Sequence, residues 1–120
     1  ITRINGDTDN QRCRVTYPNE IAEWCVSRLI DKAKKLKPFD YPLCCADLTA
    51  MDMNNSMYQF IQHMKQVNEA DLKYPIILDA EGGIMDGRHR IAKAILTGKA
   101  VIKAVRFEKT PEPDNIIERE

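Results

Sequence analysis

Tyr74-Pro75-Ile76-Ile77-Leu78-Asp79-Ala80-Glu81-Gly82-Gly83-Ile84-Met85-Asp86-Gly87-Arg88-His89-Arg90 is the stretch that decides how this chain folds. Ile76–Leu78 is a short continuous apolar run, which reads as a buried strand. Asp79 to Gly83 is a turn cluster, in which Gly82-Gly83 supplies positive φ for a tight hairpin. Ile84-Met85 resumes the strand and Asp86-Gly87 ends it. From Arg88 to Thr97 the apolar positions Ile91, Ala94 and Ile95, with Ala92 or Leu96, make an inward helical face, and Gly98 stops the helix. Ala100–Phe107 reads as a closing strand.

Working outward, Met57, Phe60, Ile61, Met64 and Val67 form one stripe at helical spacing, so a helix is predicted over 55–70 with Asn55 or Ser56 as cap. His63 lies beside that stripe, as a partly exposed or core-edge residue. Pro42–Leu48 has strand character and runs into a polar connection, Thr49–Asn55. Ile21, Trp24, Cys25, Leu29, Ala33 and Leu36 share a helical face, which predicts a helix over 19–37 with Asn19 as N-cap and Pro38 as its end. Cys13–Tyr17 is a strand or an approach segment. Residues 1–12 form a polar arm and 109–120 a tail, leaving 13–108 as one domain. The element order is that of an α+β domain, a small mixed sheet with three helices.

Composition excludes several classes. The chain has 120 residues, 43% apolar and 30% charged, with 18 Lys+Arg balancing 18 Asp+Glu. That balance excludes a generically basic nucleic-acid coat and leaves room for a local basic patch. No apolar run approaches the roughly 20 residues of a membrane-spanning helix, and the first residues lack the layout of a signal peptide. The four cysteines, Cys13, Cys25, Cys44 and Cys45, form no Cys-x-x-Cys pair and lie at no zinc-finger spacing from a histidine. Free thiols in a reducing cytoplasm are the expectation, with a secreted two-disulfide protein as the alternative. Neighbours in a strand face opposite ways, so one of Cys44 and Cys45 is expected to be buried.

The chemistry is expected where Asp86-Gly87 runs into Arg88-His89-Arg90. The first N–H groups of a helix have no internal partner, and the helix dipole leaves partial positive charge there. Three basic side chains at that end make a site for an oxyanion, above all a phosphate. They also oppose the dipole, at a few tenths of a kcal/mol each. Arg88 and Arg90 held by Asp86, Asp79 or Glu81 is the competing, purely structural reading. Asp86 is either the helix N-cap or a ligand for a hard cation such as Mg²⁺. Asp47, Asp79 and Glu81 are further candidates for a base or metal ligand in phosphoryl transfer, and Lys93 either extends the basic face or is simply solvated.

From Tyr74 to Phe107 the pattern aromatic-Pro-Ile-x-Leu, a Gly-bearing hairpin, apolar-x-Asp-Gly-x-His-Arg, apolar-Ala-x-Ala, Gly and a strand resembles the ParB/sulfiredoxin-like superfamily. The resemblance implies that this turn binds nucleotide phosphates, with Gly87 admitting the backbone to the phosphate and His89 and Arg90 as ligands; the charge at the helix start adds Arg88 as a candidate ligand. Arg88 stands where sulfiredoxins carry a reactive cysteine and ParB proteins commonly a glutamate, which points away from sulfinic-acid reduction and from CTP hydrolysis of the ParB kind. ParB proteins continue into a helix-turn-helix domain, for which these 120 residues leave no room. The expectation is a cytoplasmic domain binding ATP or CTP with Mg²⁺. If it is an enzyme, it is a phosphotransferase or nucleotide hydrolase in which Asp86, Arg88 and His89 do the chemistry. A nucleic-acid-binding module, partition- or nuclease-like, and a non-catalytic interaction protein are the alternatives.

Overall fold

Residues 12–47 and 56–118 are described by a computed structural model of the chain. Most of the expected arm at 1–12, the Thr49–Asn55 connection and the candidate cap Asn55 lie outside those residues. Among the described residues the architecture is α+β, with three α-helices and two small sheets.

The apolar run around Ile77 is β4 (Ile76–Leu78), and all three of its residues are buried. It pairs antiparallel with β5 (Ile84–Asp86) and parallel with β6 (Val101–Arg106). β6 in turn pairs antiparallel with β3 (Phe39–Pro42), giving the order β3-β6-β4-β5. Alternation along β4 sends Ile77 to one side and Ile76 and Leu78 to the other. Ile76 and Leu78 meet Tyr41, Ile102, Ala104 and, from α3 (Arg88–Leu96), Ile91 and Ala94. Ile77 meets Met85, Val105 and Phe107, together with Cys13, Trp24 and Leu29 from the other half of the fold. A strand covered on both faces needs no polar alternation, which is why this segment is apolar throughout.

The other half corrects the helix expected over 19–37. Glu20–Cys25 is a strand, β2, and the helix α1 is only Val26–Ala33. Trp24 and Ala22 reach the core at a spacing of two, and over six residues the helical and strand periods cannot be told apart. β2 decides for strand because both its edges are paired, with β1 (Arg12–Thr16) and with β7 (Asn115–Glu118). Its outward Glu23 is buried but paired with Arg14 at 2.6 Å. Asn19 therefore caps nothing, and the residues expected as a tail carry β7.

The C-terminal segment is fastened by named bonds. The Trp24 indole N–H donates to the Pro111 carbonyl at 2.8 Å. Asp114 Oδ2 accepts from the Cys25 N–H at 2.8 Å, at the start of α1, and Oδ1 accepts from Arg28 at 2.9 Å. A carboxylate there satisfies an orphan amide and the helix dipole together. Those contacts hold the Asp114 carboxyl below its usual range, the Cys25 amide contributing most.

Two further expectations change. The strand ends at Pro42, which has no N–H to continue a ladder, and Leu43–Cys45 is a 3₁₀ turn. Both Cys44 and Cys45 are exposed, and all four cysteines are free thiols. The helix α2 (Met57–Glu69) forms as expected, with Ser56 as N-cap accepting from the Gln59 N–H at 3.1 Å. Its stripe is largely uncovered: Val67 is buried, whereas Met57 is 71% and Ile61 58% exposed. In α3, Ile95 and Leu96 are likewise exposed rather than inward. No helix among the described residues is long and apolar enough to cross a membrane.

Replacing Asp114 by Ala should cost about 1 kcal/mol, the usual value of a helix cap, read from urea unfolding at neutral pH. Because the folded carboxyl titrates below its unfolded value, the cap's contribution is complete above the unfolded pKa. It is lost as pH falls through the folded one, so the gap between variant and parent should close in acid.

Candidate functional site

Gly87 sets the position of everything in the DGRHR turn. It is the N-cap of α3 with φ +112°, a conformation side chains avoid. A Cβ built there would collide with the buried Ile76 side chain and stand 3.1 Å from the Arg90 guanidinium. The start of α3 is thus pressed onto β4 as closely as backbone allows. Gly87 accepts the first helical bond, from the Ile91 N–H at 3.0 Å, so the amides of Arg88, His89 and Arg90 lie ahead of it.

The three basic side chains diverge, as consecutive helical residues must at about 100° each. Arg90 turns back to Asp86, with Nη2 2.9 Å from Oδ2, and both side chains are largely covered. This is the purely structural pairing that competed with a ligand site. Gly87 and not Asp86 is the cap, and Asp86 Oδ2 is engaged by a guanidinium. Arg88 turns to the other side, where Nη2 donates to the Ile84 carbonyl at 3.2 Å. There it lines a cavity of about 250 Å³ whose wall includes Cys13, Tyr41, Cys45, Asp47 and Asp79. Neither Gly87, His89 nor Arg90 lines that cavity. The Nε–H groups of Arg88 and of Arg90 are both buried without a partner among the described residues.

His89 points to α2. Its Nε2 lies 3.2 Å from Nδ1 of His63, the rings tilted at 44° with centroids 5.3 Å apart. Half-burial lowers the His89 pKa first, then the positive charge possible on His63, while Asp86 pulls it up and Arg90 and Arg88 pull it down. The imidazole is therefore neutral at neutral pH. These are the chain's two histidines, 26 positions apart, a separation that matches no ligand or catalytic spacing.

Two of the remaining candidates, Asp79 and Lys93, hold backbone in place. Asp79 Oδ1 accepts from the Glu81 N–H at 2.9 Å and the Gly83 N–H at 2.8 Å, which shapes the hairpin. Lys93 donates to the Asn68 and Ala70 carbonyls at 2.8 and 2.7 Å, closing the C-terminal end of α2. It neither extends a basic face nor is solvated. Glu81 is exposed and Asp47 sits on the cavity wall. Sequence reasoning did not find the cavity thiol Cys13, which burial pushes up against the pull of Arg88. With Asp86 bound to Arg90, and no three His, Cys, Asp or Glu side chains converging among the described residues, these groups do not fit a protein-held Mg²⁺. No protein-family model matches this chain, and no curated protein or solved structure matches it.

Gly87→Ala should lower stability by about 2 kcal/mol or more, since it adds left-handed strain to a clash with a buried side chain. Acid gives a second check. His89 binds its proton more weakly folded than unfolded, so the unfolded chain takes up more protons as pH drops below about 6.5, the ordinary histidine value. Stability should fall through that region toward the lower folded pKa, and His89→Gln should flatten the fall. A parent whose melting temperature is constant between pH 7 and 5, with the variant behaving alike, would contradict a depressed His89.

Proposed function

We propose that the chain is a ParB/sulfiredoxin-like domain that binds a phosphate-bearing ligand, a nucleotide such as ATP or CTP, at the start of α3. The observation that carries the reading is the pair of buried, unpartnered guanidinium Nε–H groups of Arg88 and Arg90 on either side of that helix start. An unsatisfied buried donor costs about 1–3 kcal/mol, more when charged, and an oxyanion met by a shift of the side chain would relieve it. Guanidinium groups suit phosphate oxygens, and the free amides of Arg88, His89 and Arg90 add fixed donors. The motif resemblance between Tyr74 and Phe107 supports the same reading.

The cavity beside Arg88 is smaller than the roughly 300–1,000 Å³ that encloses a whole drug-sized ligand. It has room for one moiety while the phosphate stays at the helix start. Mg²⁺ enters this proposal only as the nucleotide's own counter-ion. Phosphoryl transfer or nucleotide hydrolysis is the reaction class that belongs to such a site. Arg88 would stabilise charge on the transferring group, and neutral His89 would be the proton acceptor within reach of the turn.

Thermal melts with ATP and CTP, each with Mg²⁺, test it. Ligand at a hundredfold excess over Kd should add about 2.7 kcal/mol of stability. Arg88→Ala and Arg90→Ala should remove the gain, and Arg90→Lys, which keeps the ion pair with Asp86, should retain part of it. No gain with any nucleotide sinks the reading. Binding to oligonucleotides alone, falling steeply with salt, would replace it by the nucleic-acid alternative.

A further inference from the structure

We propose that the His63–His89 contact is an acid-sensitive clasp on α2: it holds that helix against α3 while at least one of the two facing nitrogens lacks a proton, and releases it once both carry one. This does not rest on the phosphate reading, since it concerns how two helices are joined. His63 Nδ1 and His89 Nε2 are 3.2 Å apart, within hydrogen-bond reach. Such a bond needs one ring nitrogen to donate and the other to accept. A single proton added to the pair leaves it intact, because the ring that gains it donates and its neighbour still accepts. A second proton leaves two donors face to face, and two like charges on rings whose centroids are 5.3 Å apart. The contact then changes from attraction to repulsion.

Three observations make this a switch on α2 and not a general weakness of the fold. Neither core cluster contains a side chain of α2, whose one buried residue is Val67. Ile91 and Ala94 of α3 cover that face of the sheet without it, so α2 can leave while both cores stay closed. The bonds across the seam are polar. Beside the histidine pair, Lys93 donates to the Asn68 and Ala70 carbonyls further along it. Histidine is the side chain whose charge ordinarily changes between about pH 5 and 8, and these are the chain's two. Finally, the charges around the His89 ring resist a proton. His63 from α2 and Arg90 and Arg88 on α3 oppose it, and Asp86 at the end of β5, already bound to Arg90, alone favours it. Separating the helices removes His63 and the burial, so the released state binds the second proton better and acid favours it. Once free, a helix of 13 residues is marginal in water and unravels.

Amide hydrogen exchange on the full chain tests the clasp, followed from about pH 7.5 to about 5.5 with intrinsic rates divided out, with and without sub-denaturing urea. The α2 amides should be less protected than those of β4, and their exchange should depend little on urea, the mark of a local opening. Below about pH 6.5 their protection should fall, by up to about tenfold per pH unit. His63→Gln should weaken that response, and a His63→Gln/His89→Gln variant should abolish it. The Trp24 indole N–H signal, fixed by the Pro111 carbonyl, reports that each variant is folded. Should a variant fail to fold, the ring proton signals of the parent replace it: both histidines must titrate, and α2 protection must fall with the later of the two steps. Protection of α2 that persists in acid, or α2 and β4 opening together with one urea dependence, would overturn the clasp. So would a response undiminished by His63→Gln or surviving in the double variant, or one that follows the first ring titration.

Discussion

The contact between Gly87 and Ile76 is the constraint on which the rest of the turn depends. Ile76 is fully buried in a strand covered on both faces, so it cannot retreat. Gly87 has no Cβ and a left-handed φ, so it can come close. Together they fix where α3 begins and which way its first three side chains leave the helix. Ile91 and Ala94, both without exposed surface, then lock the helix onto the same face of the sheet. A side chain at position 87 would have to push the helix start off β4, and Arg88, His89 and Arg90 would move with it.

That placement creates two electrostatic costs of different size. Basic residues at a helix start cost a few tenths of a kcal/mol each. Asp86 offsets part of this through its pair with Arg90, and its neighbourhood to the helix start is favourable in itself. Burying two guanidinium N–H groups without acceptors costs more, of the order of 1–3 kcal/mol each. Ion pairing inside the turn therefore answers the smaller cost and leaves the larger one standing. That imbalance, and not the number of positive charges, is what supports the proposed site.

What could be read from the sequence divides along physical lines. Local signals held where one period governed a whole element: β4 with its hairpin, α3 with Gly98 behind it, and α2 with its Ser56 cap. They failed where the answer lay far along the chain. Glu20–Cys25 looks helical until β1 and β7 pair with its two edges, and β7 arrives from almost a hundred residues away. Cys44 and Cys45 face solvent together because Pro42 ends the strand that would have separated them. Lys93 was open to either a basic face or solvent because its acceptors are carbonyls, which a sequence does not display. Among the site residues, a carboxylate partner for Arg90 was legible, but three acidic residues offered themselves and only the fold selects Asp86. The meeting of His63 with His89 was not, since it follows from helix packing.

His89 is where the phosphate proposal meets a titratable group. An oxyanion hydrogen-bonded to the ring would favour a protonated imidazole, raising a pKa that burial, His63 and the arginines depress. An anion that bonds only to Arg88, Arg90 and the amides would raise it less, through space alone. Linkage obliges the proton to alter the anion's affinity by the same factor that the anion alters the proton's. The steepness with which nucleotide affinity falls as pH rises therefore reports whether His89 itself touches the phosphate, which the unpartnered N–H groups of the arginines do not decide.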